Sequence, residues 1–306
     1  MPELPEVETI RRDLIPALIG RRIVALELIW PGVLARPDTA AAAASLLVGR
    51  QMSTLRRRGK YLIVDLGDET ALVIHLRMTG RLHVHTPDQP LPQHQRATIS
   101  LDDGHELRFS DQRKFGRLYV VSAHGELQEV LANVGPELLD SAMTLAAFRQ
   151  RLTGRSTRLK PLLLDQRFIA GLGNIYADEA LFRAGLHPLR SAATISCEEI
   201  ARLYEACRLA LRVGIIHRGT TFRAYRDAWG SRGLNQERLF VFRRQEQPCH
   251  LCDTQIERLR VAGRATHVCP TCQPFEQLPP ATADTRVRRV AAVDAPYLAR
   301  AAEVEA

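Results

Sequence analysis

The sequence predicts an α+β multidomain chain: an N-terminal β-sandwich carrying one N-terminal helix, then a helical domain, then a small four-cysteine finger. Three observations carry this. Short β-rich runs separated by Gly, Asp and Pro fill residues 22–122. Helical periodicity takes over near Val134-Gly135-Pro136, and two CxxC pairs stand close to the C-terminus. At 306 residues the chain is long enough for two domains, each with a sizeable core.

The elements follow in order. Val7, Ile10, Leu14 and Leu18 recur at helical spacing, which predicts an amphipathic helix over residues 3–18, with Pro16 cutting its last turn. Residues 22–30, 61–66, 71–76, 97–101, 106–110 and 117–121 read as strands. Asp103-Gly104 is a hairpin signal and Gly67-Asp68 a weaker one. Six such runs around one helix predict a sandwich or flattened barrel. The alanine-rich stretch 39–47 predicts a short separate helix. Further on, Ser196-Cys197-Glu198-Glu199 forms a capping box, followed by Ile200, Leu203, Cys207 and Leu211 on one face. Residues 218–236, rich in Arg, Gly and Thr, read as a long mobile loop, and the Ala-, Pro- and Arg-rich end as a disordered tail without a core. The expected division is 1–134 sandwich, 135–243 helical domain, 244–273 finger and 274–306 tail.

A net charge of +8 and a pI near 9.5 point to a polyanionic partner. Aromatic content of 6% argues against a surface built mainly on stacked bases. The acidic N-terminus lacks an apolar signal region, and no run approaches the roughly 20 apolar residues of a membrane span. The expectation is a soluble, cytoplasmic protein with no membrane partner. Cys197 and Cys207 read as buried thiols; the other four cysteines read as metal ligands.

Cys249, Cys252, Cys269 and Cys272 are the most specific signal: two CxxC pairs separated by sixteen residues. Each pair turns two thiolates towards one ion, and two such knuckles complete a tetrahedral Zn²⁺ site. Four protein ligands leave no open position, so the zinc is expected to be structural. Arg258, Arg260 and Arg264 lie between the knuckles, which favours a nucleic-acid role.

The start, Met1-Pro2-Glu3-Leu4-Pro5-Glu6, permits chemistry. Removal of Met1 would leave Pro2 with a free secondary amine, and α-amines titrate at about 7.7–8.0. Such an amine attacks carbonyl-like carbons to form a Schiff base, with Glu3 as a nearby acid or base. Read alone, these residues also describe a helix start, and that plainer reading is the stronger. The run Arg56-Arg57-Arg58-Gly59-Lys60 is either a solvated face or a device aiming Lys60 at a phosphate. Gly171-Leu172-Gly173-Asn174 is a phosphate-binding helix N-terminus or an ordinary interhelical turn, with equal weight. Met78, Arg113 and Phe115 occupy turns after strands and could enter a base stack, although singly Met and Phe are more often core.

In this order the motifs resemble the formamidopyrimidine-DNA glycosylase branch of the Fpg/Nei family, from Pro2 through Cys272. The resemblance rests on the PELPEVE start, RRGKYL at 57–62, the RKFG turn, GLGNIYADEALF at 171–182 and the four-cysteine finger. It implies a helix–two-turn–helix motif in the helical domain, with DNA in the cleft beside the sandwich. It also implies a monomeric glycosylase/AP lyase acting on double-stranded DNA with oxidised purines or abasic sites. Pro2 would be the nucleophile, Glu3 the acid/base, and Lys60 a phosphate contact that assists elimination. Arg264 would grip phosphate and Asn174 would hold the same backbone. Met78, Arg113 and Phe115 would fill the void, His94 and Arg155 would contact DNA, and Glu6 would stand behind the base pocket. The chain departs from the family pattern at Arg77 before Met78, at Arg218 where a glycine is usual, in the stretch 240–245 ahead of the finger, and in the long tail after Cys272. The alternatives are a Nei-like enzyme for oxidised pyrimidines and a non-catalytic zinc-finger protein that binds damaged DNA.

Overall fold

A computed structural model describes residues 1–275, so residues 276–306 of the expected tail lie outside the described residues. Helix α1 (Leu4–Leu18) opens the chain, with Glu3 as its N-cap and the Glu6 carboxylate accepting from the Glu3 N–H at 2.7 Å. Its apolar stripe Val7, Ile10, Leu14 and Leu18 is buried. Pro16 does not end it: Pro16 lies on the exposed side of the helix, and Ile19 still donates to the Ile15 carbonyl at 3.0 Å.

Nine strands follow: β1 (Ile23–Leu28), β2 (Leu34–Arg36), β3 (Thr54–Arg58), β4 (Tyr61–Asp65), β5 (Ala71–His75), β6 (Gly80–His85), β7 (Gln95–Leu101), β8 (Glu106–Asp111) and β9 (Arg117–Val121). Helix α2 (Ala40–Leu47) interrupts them where the alanine run predicts it. They form two sheets, ordered β1-β7-β8-β6 and β2-β9-β5-β4-β3. The expected sandwich is present. The three strands absent from the sequence expectation, β2, β3 and β6, are all edge strands. Edges tolerate charge and short length, so β3, Thr-Leu-Arg-Arg-Arg, carries only one buried apolar residue, while β6 does alternate, with Leu82 and Val84 turned to the core between Arg81, His83 and His85. Between the sheets, the α1 stripe packs with Leu62, Val64, Leu72, Ile74, Leu107 and Phe109.

Helices α3 (His124–Leu131), α4 (Leu145–Leu152), α5 (Leu159–Leu164), α6 (Asn174–Ala184) and α7 (Cys197–Ile216) come next. A second core gathers Phe148, Phe168, Tyr176, Leu181, Leu203 and Leu211, and Leu4 of α1 belongs to it. The Ser196–Glu199 capping box starts α7, and Cys207 is buried as expected. Cys197 is instead exposed, because it is the first residue of α7 and lies off the apolar face.

Residues 218–234 contain no helix or strand, yet the segment is tied down: Tyr225 and Ala228 enter the sandwich core. The finger closes on an antiparallel hairpin, β10 (Glu257–Val261) with β11 (Arg264–Val268). No helix among the described residues is long and apolar enough to cross a membrane.

Candidate active site

The chain start and the α6 start meet. Glu3 Oε1 accepts from the Ile175 N–H at 3.1 Å and Oε2 from the Tyr176 N–H at 3.4 Å. The free N–H groups of α6 therefore hold a protein carboxylate. These two N–H groups are occupied by Glu3. Two glycines, Gly171 and Gly173, make the approach possible. A β-carbon at Gly171 would lie 2.4 Å from Leu4 Cδ1, and Gly171 has a left-handed φ of 97°. Leu4 N–H also donates to the Gly171 carbonyl at 3.1 Å. Pro2 is buried beside Glu3.

Lys60 sits in the two-residue turn between β3 and β4, with Gly59 at φ 57°. Its ammonium donates to the Leu172 carbonyl at 2.8 Å, in the turn that precedes α6. Burial pulls its pKa from 10.5 down to about 8, opposed by the Glu3 and Glu6 carboxylates and aided by the Arg264 charge. The arginine run is not a simple solvated face. Arg57 is partly buried, donating to Glu8 at 3.0 Å and to Glu137 at 2.6 Å, and Glu137 accepts the Gly59 N–H at 2.6 Å. This brace sets the position of Lys60.

Glu6 is enclosed. Its Oε1 accepts from Tyr176 Oη at 2.6 Å and from the Thr220 N–H at 2.7 Å. Burial first, then the neighbouring Glu3 charge, push its pKa up to about 7 against those hydrogen bonds. Thr220 stands at the root of the 218–236 segment, so that segment shares one network with Glu3.

Asn174 is the first helical residue of α6 rather than its cap. Its Nδ2 donates to the Ala265 carbonyl at 2.9 Å, which ties α6 to β11 beside the exposed Arg264. Lys160 reaches the same carbonyl at 3.0 Å and pairs with Asp178 at 2.5 Å, both fully buried. Asp178 also accepts the His267 N–H at 3.0 Å, and Glu179 accepts three successive N–H groups of Phe240, Val241 and Phe242. One turn of α6 thus anchors the finger.

Met78, Arg113 and Phe115 come together at the far edge of the sandwich. Arg113 Nη1 donates to Met78 Sδ at 3.0 Å, and its guanidinium stacks 4.7 Å from the Phe115 ring centre. Met78 and Phe115 are exposed, unlike core residues of those types. The buried Asp111 holds both turns, accepting from Thr79 Oγ1, the Arg113 N–H and the Gly116 N–H. His94 is adjacent, its carbonyl accepting the Asp111 N–H at 2.9 Å. Arg155 stands apart in the exposed loop after α4, stacked 5.1 Å from the Phe168 ring centre.

The sulfurs of Cys249, Cys252, Cys269 and Cys272 all lie within 4.8 Å of one another. Tetrahedral Zn–S bonds of about 2.3 Å place sulfurs about 3.8 Å apart, so the donor set fits one structural zinc ion. Arg258, Arg260 and Arg264 of the hairpin are exposed.

Sequence reasoning passed over Glu137, Asp111, Asp178 and Glu179. Their signal was the acid itself: Asp178-Glu179 interrupt an otherwise apolar helix face, and Asp111 opens the RKFG turn.

Three family models match in succession. They are the formamidopyrimidine-DNA glycosylase N-terminal domain over residues 1–118, its H2TH domain over 134–225, and the zinc finger found in FPG and IleRS over 246–274. The chain is 48% identical to the formamidopyrimidine-DNA glycosylase of Herpetosiphon aurantiacus over 276 residues, covering 89% of this chain and all of that protein. It is also 48% identical to the Symbiobacterium thermophilum protein of the same name, covering 90% of each. Among solved structures, Lactococcus lactis Fpg bound to DNA containing N7-benzyl-Fapy-dG superposes with a TM-score of 0.83 at 35% identity. MutM bound to DNA containing carbocyclic 8-oxo-G gives 0.83 at 34%. Each match covers 90% of this chain and all of the other. With a sandwich, an α6 start that receives Glu3 and a finger braced on α6, the chain belongs to the formamidopyrimidine-DNA glycosylase family.

Proposed function

We propose that the chain is a bifunctional DNA glycosylase/AP lyase of base excision repair that removes oxidised purines from duplex DNA. The observation that carries this is Glu3 held by the α6 N-terminus beside Pro2, with Lys60 and Arg264 charged around it. In this reading Met1 is removed and the Pro2 nitrogen attacks C1′ of the damaged nucleotide. The C1′–N bond to the base breaks, and Glu3 supplies a proton to O4′ as the sugar opens. The resulting iminium ion acidifies the C2′ proton, whose loss expels the 3′ phosphate; a second elimination expels the 5′ phosphate. Lys60, Asn174 and Arg264 grip the flanking phosphates, which makes affinity salt-sensitive. Met78, Arg113 and Phe115 fill the space left by the extruded nucleotide, Arg113 facing the orphaned base, while His94 and Arg155 contact the duplex. Glu6 stands behind the base pocket.

The working units are the sandwich to residue 134, the helical domain over 135–243 with its 218–236 loop covering the displaced base, and the finger over 244–273. The enzyme acts in the cytoplasm on chromosomal DNA.

Borohydride trapping tests the reading. A covalent adduct forms between the processed chain and an 8-oxoguanine duplex, and Pro2→Gly loses it. No adduct from zinc-loaded, Met1-free protein overturns the lyase chemistry, and faster turnover of thymine glycol than of 8-oxoguanine moves the substrate to oxidised pyrimidines.

A further inference from the structure

The root of the 218–236 loop is held by a charge cluster that no step of the proposed chemistry uses. Arg218, at the C-terminal end of α7, adopts a left-handed φ of 56°. Its Nη2 lies 2.9 and 2.8 Å from the two oxygens of Asp13 on α1 and 2.6 Å from Asp227 Oδ2 within the loop. Both carboxylates are buried, Asp13 at 8% and Asp227 at 1% exposure. Asp227 then works inwards: its Oδ1 accepts the N–H groups of Trp229 at 3.1 Å and Ser231 at 2.8 Å. The resulting tight turn buries Ala228 in the sandwich core and leaves Trp229 more than half exposed. One guanidinium therefore joins α1, the end of α7 and the turn that carries Trp229.

We propose that Arg218, through Asp13 and Asp227, is a positioning residue for base excision: it pre-forms the 227–231 turn and so holds the loop in the shape that covers the displaced base. The proposal rests on the reading that this loop covers the base. Two observations favour function over plain stability. First, φ 56° is a conformation in which glycine is at ease and arginine is not, so the side chain stays despite its backbone. Second, the same loop root delivers the Thr220 N–H to Glu6, so its position reaches the catalytic network directly. A loop that must first be ordered lowers the effective rate by the fraction of molecules in the competent shape. Cleavage at a pre-formed abasic site has no base to cover and escapes that factor.

The test compares Arg218→Gly and Asp13→Asn with the zinc-loaded, Met1-free chain. Glycine suits φ 56°, so the first variant is expected to fold. Single-turnover excision of 8-oxoguanine falls about tenfold in each variant, and the double variant is no worse than either, because both break one device. Strand cleavage of an abasic duplex stays within about twofold. Tryptic cutting of the intact protein after Arg223, Arg226 or Arg232 accelerates in both. An equal loss on both substrates overturns the proposal, as does unchanged excision or unchanged cutting. In a Trp30→Phe background Trp229 is the sole tryptophan, and its emission separates the lesion duplex from undamaged duplex if the loop covers the base. Identical emission in the otherwise unmodified chain removes the loop reading itself, and the proposal with it, whatever the Arg218 variants do.

Discussion

The Glu3 carboxylate and Gly173 touch: a β-carbon at Gly173 would lie 2.3 Å from Glu3 Cδ. The glycine's φ of −135° is open to any residue, so its requirement is purely spatial. Gly173→Ala is therefore expected to displace Glu3 without unfolding α6. Base excision should fall by about 10²-fold or more, the scale of a lost general acid/base. Duplex affinity, which phosphate contacts dominate, should change little. Single-turnover excision alongside equilibrium binding decides it, and equal losses in both would mean the turn itself had collapsed.

Lys60 is a functional group held at a cost. Its pKa falls from 10.5 to about 8, and each unit is about 1.4 kcal/mol, so keeping it charged while buried costs about 3 kcal/mol without DNA. Between pH 8 and 10.5 the unfolded chain holds a proton that the folded chain lacks, so this contribution makes stability rise with pH there. Below pH 8 the full cost is present. Lys60→Met should thus raise Tm at pH 7 while weakening DNA binding and reducing the salt slope by about one unit. A lower Tm would show that the hydrogen bond to Leu172 outweighs the buried charge.

These two cases show what was legible in the sequence. The α1 stripe, the α7 capping box and the cysteine pairs are local patterns, and each appears where its spacing places it. The braces are not local. Arg57 looked like one charge of a solvated run because Glu8 and Glu137 lie 49 and 80 residues away. Asp178 and Glu179 likewise find their partners in β11 and residues 240–242, which no periodicity reveals. The proposed catalytic residues were legible only as members of an ordered motif set, since Pro2 and Glu3 alone read more readily as a helix start.

Glu6 supplies a pH signature of opposite sign. Its pKa rises from 4.5 to about 7, so between those values the folded chain keeps a proton that the unfolded chain has lost. By linkage, this contribution makes stability fall as pH rises from 4.5 to 7, with the full cost present above 7. Glu6→Gln removes the titration. The Tm difference, unmodified chain minus variant, should decline steadily across that window in thermal melts. A flat difference would place the Glu6 pKa near its ordinary value.

Asp111 braces the two turns that carry Met78, Arg113 and Phe115. Asp111→Ala strips the acceptor from the Arg113 and Gly116 N–H groups and from Thr79, and an unsatisfied buried donor costs about 1–3 kcal/mol. Tm should fall accordingly. If Arg113 reads the orphaned base as proposed, discrimination between cytosine and adenine opposite 8-oxoguanine should weaken more than cleavage of abasic duplex does. Excision rates on the two pairings measure this directly, and an intact preference would show that stacking on Phe115 alone positions Arg113.

Zinc removal should separate the finger from the sandwich. The finger reaches the remainder through the Ala265 carbonyl, which receives Asn174 and Lys160, and through His267 on Asp178. Cys249→Ser removes one of four thiolates, and a structural zinc site contributes folding energy outright. β11 should then lose its alignment, freeing Arg264 and leaving the buried Lys160–Asp178 pair partly unpartnered. DNA binding should be lost, whereas the sandwich core of α1 and the two sheets has no member in the finger. Calorimetry of the variant should retain a cooperative transition for that core. A single collapsed transition would mean that α6, bound at once by Glu3 and by the finger, couples the two into one cooperative unit.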